Sequence, residues 1–149
     1  MIRLEPVTPQ NWRLPLAVTE EQQAYVASVP VLLARAYAYR DCRSHALVIY
    51  AGDTPVGMAL YYDCDAFCAY DFSQLLIDRR YQGKGYGTAA AAAILQRMAQ
   101  DGKYDRVVLC YIEGNEVARR LYEKLGFVPT GERDEDEIVF EKTLQKERP

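Results

Sequence analysis

The sequence predicts a single α/β (α+β) domain spanning residues 1–149, with a mixed, mainly antiparallel twisted sheet flanked by helices. Three observations lead there. Strand-like and helix-like runs follow one another in the order β-αα-βββ-α-β-α-ββ. The three central strands form a meander between His45 and Ile77, which favours antiparallel pairing. No linker, repeat or low-complexity stretch divides the chain, and 50% hydrophobic residues suffice to bury one core.

Ile2 and Leu4, continued by Val7, alternate as a first strand that Pro6 and Pro9 close. Between Trp12 and Val26 the apolar spacing is mixed, and Thr19-Glu20-Glu21-Gln22 reads as a helix start with acids in its first turn. Ser28-Val29-Pro30 reads as a break, and Val31 to about Asp41 as a second helix. Ala46–Tyr50 and Val56–Tyr62 form a hairpin around the turn Gly52–Pro55, and Phe67–Ile77 follows a second turn at Asp63–Ala66. Six alanines at Ala89 to Ala93 and Ala99 make Thr88–Gln100 a helix. The β-branched run Val107–Ile112 is a buried strand. Asn115 caps a helix that ends near Leu125 with Gly126 as its stop. Phe127-Val128 and Ile138–Phe140 are the last strands, around an acidic turn.

Composition narrows the function. A net charge of -3 gives no field that attracts nucleic acid or an anionic membrane. The cysteines, Cys42, Cys64, Cys68 and Cys110, include one close pair but no second pair, and the only histidine is His45. A structural zinc site needs about four ligands, so no metal is expected and the thiols read as free. The start, Met1-Ile2-Arg3-Leu4-Glu5-Pro6, has no apolar stretch of signal-peptide length, and Thr88–Ala93 is too short to span a bilayer. A cytoplasmic location without membrane contact is the expectation.

Gln82-Gly83-Lys84-Gly85-Tyr86-Gly87 joins an apolar strand to the alanine-rich helix. Alternating glycines admit unusual backbone angles and close approach, and the helix start offers unpaired N–H groups and a positive dipole end. Strand, glycine turn and helix thus make a phosphate cradle. A Walker loop would need Lys84 elsewhere, and in a dinucleotide fingerprint the third glycine would fall one residue later than Gly87.

The loop resembles the Q/R-x-x-G-x-G/A signature of GNAT acetyltransferases. The run Asn115-Glu116-Val117-Ala118-Arg119-Arg120-Leu121-Tyr122-Glu123-Lys124-Leu125-Gly126-Phe127 is similar to that family's N-x-x-A-x-x-L-Y-x-K-x-G-F helix. Leu4-Glu5-Pro6-Val7, Asn11-Trp12 and Glu20-Glu21-Gln22 resemble bacterial polyamine-acetylating members. The resemblance implies an acyl-CoA N-acyltransferase fold, acetyl-CoA as co-substrate, a small amine as partner and acceptor, and room for a homodimer. It implies that the backbone of Leu76 and Ile77 holds the cofactor arm, that Gln82, Gly83, Lys84, Gly85, Tyr86, Gly87 and Thr88 take its pyrophosphate, that Asn115 bonds the arm and Lys124 a phosphate, and that Tyr122 is the general acid.

The base departs from the family pattern. Related enzymes carry a glutamate where this chain has Ser73, and Gln74 beside it is also neutral. An alkylammonium of pKa about 10.4 must lose a proton, at a cost near neutrality of roughly 4–5 kcal/mol unless the site helps. Asp71, Glu113 and water remain open as the base, with Asp71 on the face of Ser73 by alternation. Glu20 and Glu21, with Asp63, Asp65 and the acids from Glu132 to Glu137, are the candidate substrate-binding charges, and suit a polyamine such as spermidine. A peptide amine, another small amine and a non-catalytic acyl-CoA-binding module are the alternatives.

Overall fold

The computed structural model describes residues 1–145. Among them, seven strands form one sheet: β1 (Ile2–Pro6), β2 (His45–Ala51), β3 (Thr54–Cys64), β4 (Ala69–Ile77), β5 (Arg106–Ile112), β6 (Val128–Asp134) and β7 (Glu137–Thr143). Their order across the sheet is β1-β2-β3-β4-β5-β7-β6. Every neighbouring pair is antiparallel except β4 and β5, which run parallel. The crossover between those two passes through helix α2 (Tyr86–Asp101). A parallel connection needs such a helix, and the apolar face of the sheet gives it a place to pack.

Helix α1 (Val29–Ala38) covers one face. Its Leu32 is buried with Val48, Met58, Leu60 and Tyr62. Helices α2 and α3 (Glu116–Lys124) cover the other, where Ala90, Ala91, Ile94, Met98 and Tyr122 pack against Leu47, Ile49, Tyr70 and Phe72. Alternating side chains along β2 and β3 therefore serve two cores.

The segment before α1 differs from expectation. Only Glu21–Ala24 winds, as one 3-10 turn. Leu16 and Val18 instead enter the α1-side core at two-residue spacing, which demands extended chain. Ser28-Val29-Pro30 begins α1 rather than breaking a helix: the Ser28 hydroxyl accepts from Val31 N, and Pro30 sits in the first turn, where a missing N–H costs nothing. Helix α2 starts at Tyr86, two residues before the expected Thr88, with Gly85 as its cap. Strands β6 and β7 are longer than their apolar residues suggested, because β6 is largely exposed and lacks an alternating pattern.

The parallel contact is short. Only Tyr70↔Val107 and Asp71↔Val108 pair β4 with β5. Past them β4 stays on β3 as far as Ile77, while β5 stays on β7 as far as Ile112. The two strands diverge and open a gap in the middle of the sheet.

Polar contacts hold the closed end. Arg43 donates to the buried Asp63 of β3 and to Asp101 at the end of α2, and Lys103 also donates to Asp63. The Tyr70 hydroxyl donates to Asp101 and accepts from Lys103 N. Arg106 of β5 donates to Glu141 of β7 and to the carbonyl of Phe67, just before β4.

Near the open end, β3 and β4 approach closely. A Cβ on Gly57 would lie 2.2 Å from the Leu76 carbonyl oxygen. Gly57→Val should therefore force the strands apart and lower the unfolding free energy by about 1–3 kcal/mol. A fall in urea midpoint is expected, and an unchanged midpoint would contradict this close contact.

Candidate active site

Two clefts open along the gap. The first, about 550 Å³, is lined by Arg35 and Tyr39 from α1 and its end, Tyr62 from β3, Asp71 and Ser73 from β4, Cys110 from β5 and Glu137 from β7. The second, about 370 Å³, is lined by Leu76 and Ile77, by residues of the glycine loop and by Val117 and Leu121 of α3. Val26, Leu75, Asn115, Ala118 and Tyr122 border both.

The second cleft joins an open glycine loop to the start of a helix. Gly85 adopts φ +83°, a left-handed conformation that side chains strain to reach, and so turns the backbone into α2. The first-turn N–H groups of Tyr86, Gly87 and Thr88 have no acceptor within the helix and lie at its positive end. A Cβ on Gly83 or Gly85 would meet nothing within 4 Å, so the space over the loop is open. Gly87 has a packing role: a Cβ there would press Leu121 at 3.2 Å.

Asp78 fixes this loop. Its buried carboxylate accepts from Ala17 N, Arg80 N and Arg80 Nε at 2.8–3.0 Å. Burial opposes its ionisation, but those bonds and the Arg80 charge outweigh it and hold the carboxyl below its ordinary range. Gln82 donates to the Ile77 carbonyl and to Gln22 Oε1, joining the loop to the turn before α1.

Backbone direction refines the expected arm contacts. Asp78 N donates to Val56 O on β3, and the Leu76 carbonyl faces Gly57. Alternation along β4 therefore turns the peptide groups of Leu75 and Ile77, rather than Leu76, toward the gap. Leu76 contributes its side chain to the α1-side core.

Tyr122 stands where the clefts meet. Phe72 and Phe127 pack edge-on against its ring, at centroid distances of 6.0 and 5.5 Å. Burial pushes its phenol above the ordinary value near 10, so the hydroxyl keeps its proton at neutral pH. Asn115 caps α3 by accepting from Ala118 N at 3.2 Å, which leaves its amide donors toward the clefts.

Asp71 lines the first cleft. Burial pushes its carboxyl up to about 6; Arg35 opposes the shift and Glu137 adds to it. Partial burial likewise pushes the thiol of Cys110, a surface residue, up to about 11, which favours its neutral form at pH 7. Ser73 lies on the same side of β4 as Asp71, where a bulge opposite Leu60 and Tyr61 shifts the register.

The expected residues separate clearly. Leu76, Ile77, Gln82, Gly83, Gly85, Tyr86, Gly87, Thr88, Asn115, Tyr122 and Asp71 border one cleft or both. Lys84 and Lys124 are exposed and line neither. Glu20 and Glu21 also lie outside, because their turn presents Gln22 and Val26 inward and leaves the acids in solvent. Glu113 is exposed, ion-paired with Arg133, and held below the ordinary glutamate range by that hydrogen bond. His45 stacks on Tyr61 away from both clefts. Of the acids from Glu132 to Glu137, Glu137 lines the first cleft, while sequence reasoning missed Leu75, Arg35 and Tyr62, which the sheet brings together from distant segments.

Residues 10–127 match the acetyltransferase (GNAT) family. A spermine/spermidine N(1)-acetyltransferase of Bacillus subtilis is 35% identical, over 98% of both chains. The fold superposes on a spermidine N-acetyltransferase from Vibrio cholerae in complex with CoA and spermine, with a TM-score of 0.77 at 18% identity over 96% of this chain and 95% of that one. An aminoglycoside acetyltransferase in complex with coenzyme A gives a TM-score of 0.78 at 16% identity, again over 96% and 95%. Taken with the gap between β4 and β5 and the glycine-capped helix beside it, the match shows that the chain belongs to the GNAT family, as an acetyl-CoA-dependent N-acetyltransferase.

Proposed function

We propose that residues 1–149 act as one cytoplasmic domain that moves the acetyl group of acetyl-CoA directly onto a primary amine of a small acceptor. The observation that carries this reading is the position of Tyr122 on the shared border of the two clefts. The second cleft receives the cofactor: its pyrophosphate at the N–H groups of Tyr86, Gly87 and Thr88, its arm along Leu75 and Ile77. Acetyl-CoA supplies the acetyl group as a thioester. The N–H groups on the open side of β4 stabilise charge on the carbonyl oxygen. Asp71 takes a proton from the acceptor amine in the first cleft, directly or through one water. Tyr122 gives its proton to the departing sulfur.

The acceptor is a small amine, and polyamines are one candidate class because the Bacillus relative is a spermine/spermidine N(1)-acetyltransferase. Asp71 and Glu137 on the first cleft suit a cationic acceptor. A non-catalytic acyl-CoA-binding module would have no need of Tyr122 at this junction.

Release of free thiol from acetyl-CoA in the presence of spermidine, spermine, putrescine and a panel of other amines tests the reading. Amine-dependent release is expected. Tight coenzyme A binding with no release for any amine would favour the binding module. Tyr122→Phe should retain coenzyme A affinity while turnover falls by about 10²–10⁴. Unchanged turnover would place the proton donor elsewhere.

Asp71 makes a pH-dependent prediction. If it is the base, kcat/KM should show an acidic limb near pH 6 that Asp71→Asn abolishes. Stability should move oppositely. The carboxyl binds its proton more tightly folded than unfolded, so its favourable contribution is complete below about pH 3.9 and is lost as pH rises through about 6. Asp71→Asn should therefore be more thermostable than wild type above pH 6, relative to the difference at pH 4. An unshifted acidic limb in the variant would remove Asp71 from the mechanism.

A further inference from the structure

The acceptor cleft holds a cluster that a simple polyamine leaves unanswered. Arg35 projects into it from α1, half-buried, and donates from Nη1 to Ser73 Oγ at 3.2 Å. Among the described residues, no carboxylate lies within 4 Å of its guanidinium nitrogens. The Tyr62 hydroxyl also donates to Ser73 Oγ, at 3.3 Å. Tyr62 is held there by Tyr39, whose ring stacks on it at 4.1 Å and 5°. Ser73 Oγ thus accepts twice, and its own O–H is left to donate. The remaining guanidinium N–H groups and the serine O–H are donors, and the phenolic oxygen of Tyr62 is the acceptor left among these three side chains.

An ammonium group is itself only a donor, so it finds only a neutral hydroxyl oxygen on that patch and is repelled by the guanidinium. A carboxylate is complementary: two acceptor oxygens matched to a planar fork of N–H donors. Asp71 and Glu137 border the same cleft and provide the acceptors that an amine needs. The cleft therefore presents both signs of charge.

We propose that Arg35, with Ser73, recognises a carboxylate on the acceptor, so that the preferred substrate is a small amino acid-like amine rather than a bare polyamine. The proposal rests on the acetyltransferase reading and narrows its substrate class. Arg35 is a specificity residue here; the transfer itself stays with the groups at the junction.

Matched acceptors isolate the carboxylate. Ornithine and putrescine share a chain length and differ by that group, as do lysine and cadaverine. Wild type should release thiol with kcat/KM at least tenfold higher for the amino acid of each pair. Read well above the Asp71 range, where its carboxyl is ionised, Arg35→Gln should lower the ornithine-to-putrescine ratio of kcat/KM at least tenfold, and Arg35→Lys should restore part of the loss. Calorimetry of ornithine and putrescine, on the protein with and without coenzyme A, reads the same preference as affinity. A diamine that equals or exceeds its amino acid in wild type, or an Arg35→Gln variant that weakens both alike, overturns the proposal. If no acceptor releases thiol, calorimetry decides: ornithine bound more tightly than putrescine, with the difference lost in Arg35→Gln, supports it, and equal binding overturns it. Failure of the acetyltransferase reading would appear separately, as absent thiol release with every amine tested.

Discussion

The structure depends on how briefly two parallel strands stay together. Strands β4 and β5 pair at two positions and then part, each remaining with its antiparallel neighbour. Buried peptide groups without partners are costly, so a gap inside a sheet persists only if the rest of the fold enforces it. Here the enforcement is at the closed end. Asp63, Tyr70, Asp101, Arg43 and Lys103 tie β3, β4 and the end of α2 together, while Arg106 ties β5 to β7 and to the turn before β4. Salt bridges at a surface contribute little individually, but these share a buried carboxylate and act as a network.

From that divergence the chemistry follows. One strand edge presents free peptide groups to the gap, and the helix that follows it begins at a glycine cap whose geometry suits the proposed phosphate site. Helix α3 crosses the opening and sets Tyr122 on the border of both clefts. The same burial has opposite uses at two groups. It keeps the Tyr122 phenol protonated, as the proposed acid requires, and it lifts the carboxyl of Asp71, the proposed base, to about 6.

The sequence disclosed what is local. The glycine loop and the stretch Asn115–Phe127 are contiguous, and backbone angle, cap and helical spacing suffice to read them. The order of strands was legible for the same reason, as was the absence of a suitable acid at Ser73. The acceptor cleft was not legible, because Arg35, Tyr62, Ser73 and Glu137 meet only through the sheet order and belong to four separate elements. Glu20 and Glu21 show the converse: the helix expected to start at Thr19–Gln22 is a single turn, Glu21–Ala24, which points Gln22 inward and leaves the acids exposed. Leu75 was passed over for Leu76 because only hydrogen-bond direction distinguishes neighbours on a strand.

The most direct measurement of the account is a crystal structure of the protein with coenzyme A. The pyrophosphate should lie on the N–H groups of Tyr86, Gly87 and Thr88, the arm should run between β4 and β5 against Leu75 and Ile77, and the thiol should end within hydrogen-bond reach of the Tyr122 hydroxyl. A cofactor bound outside the gap, or a thiol ending away from Tyr122, would contradict it.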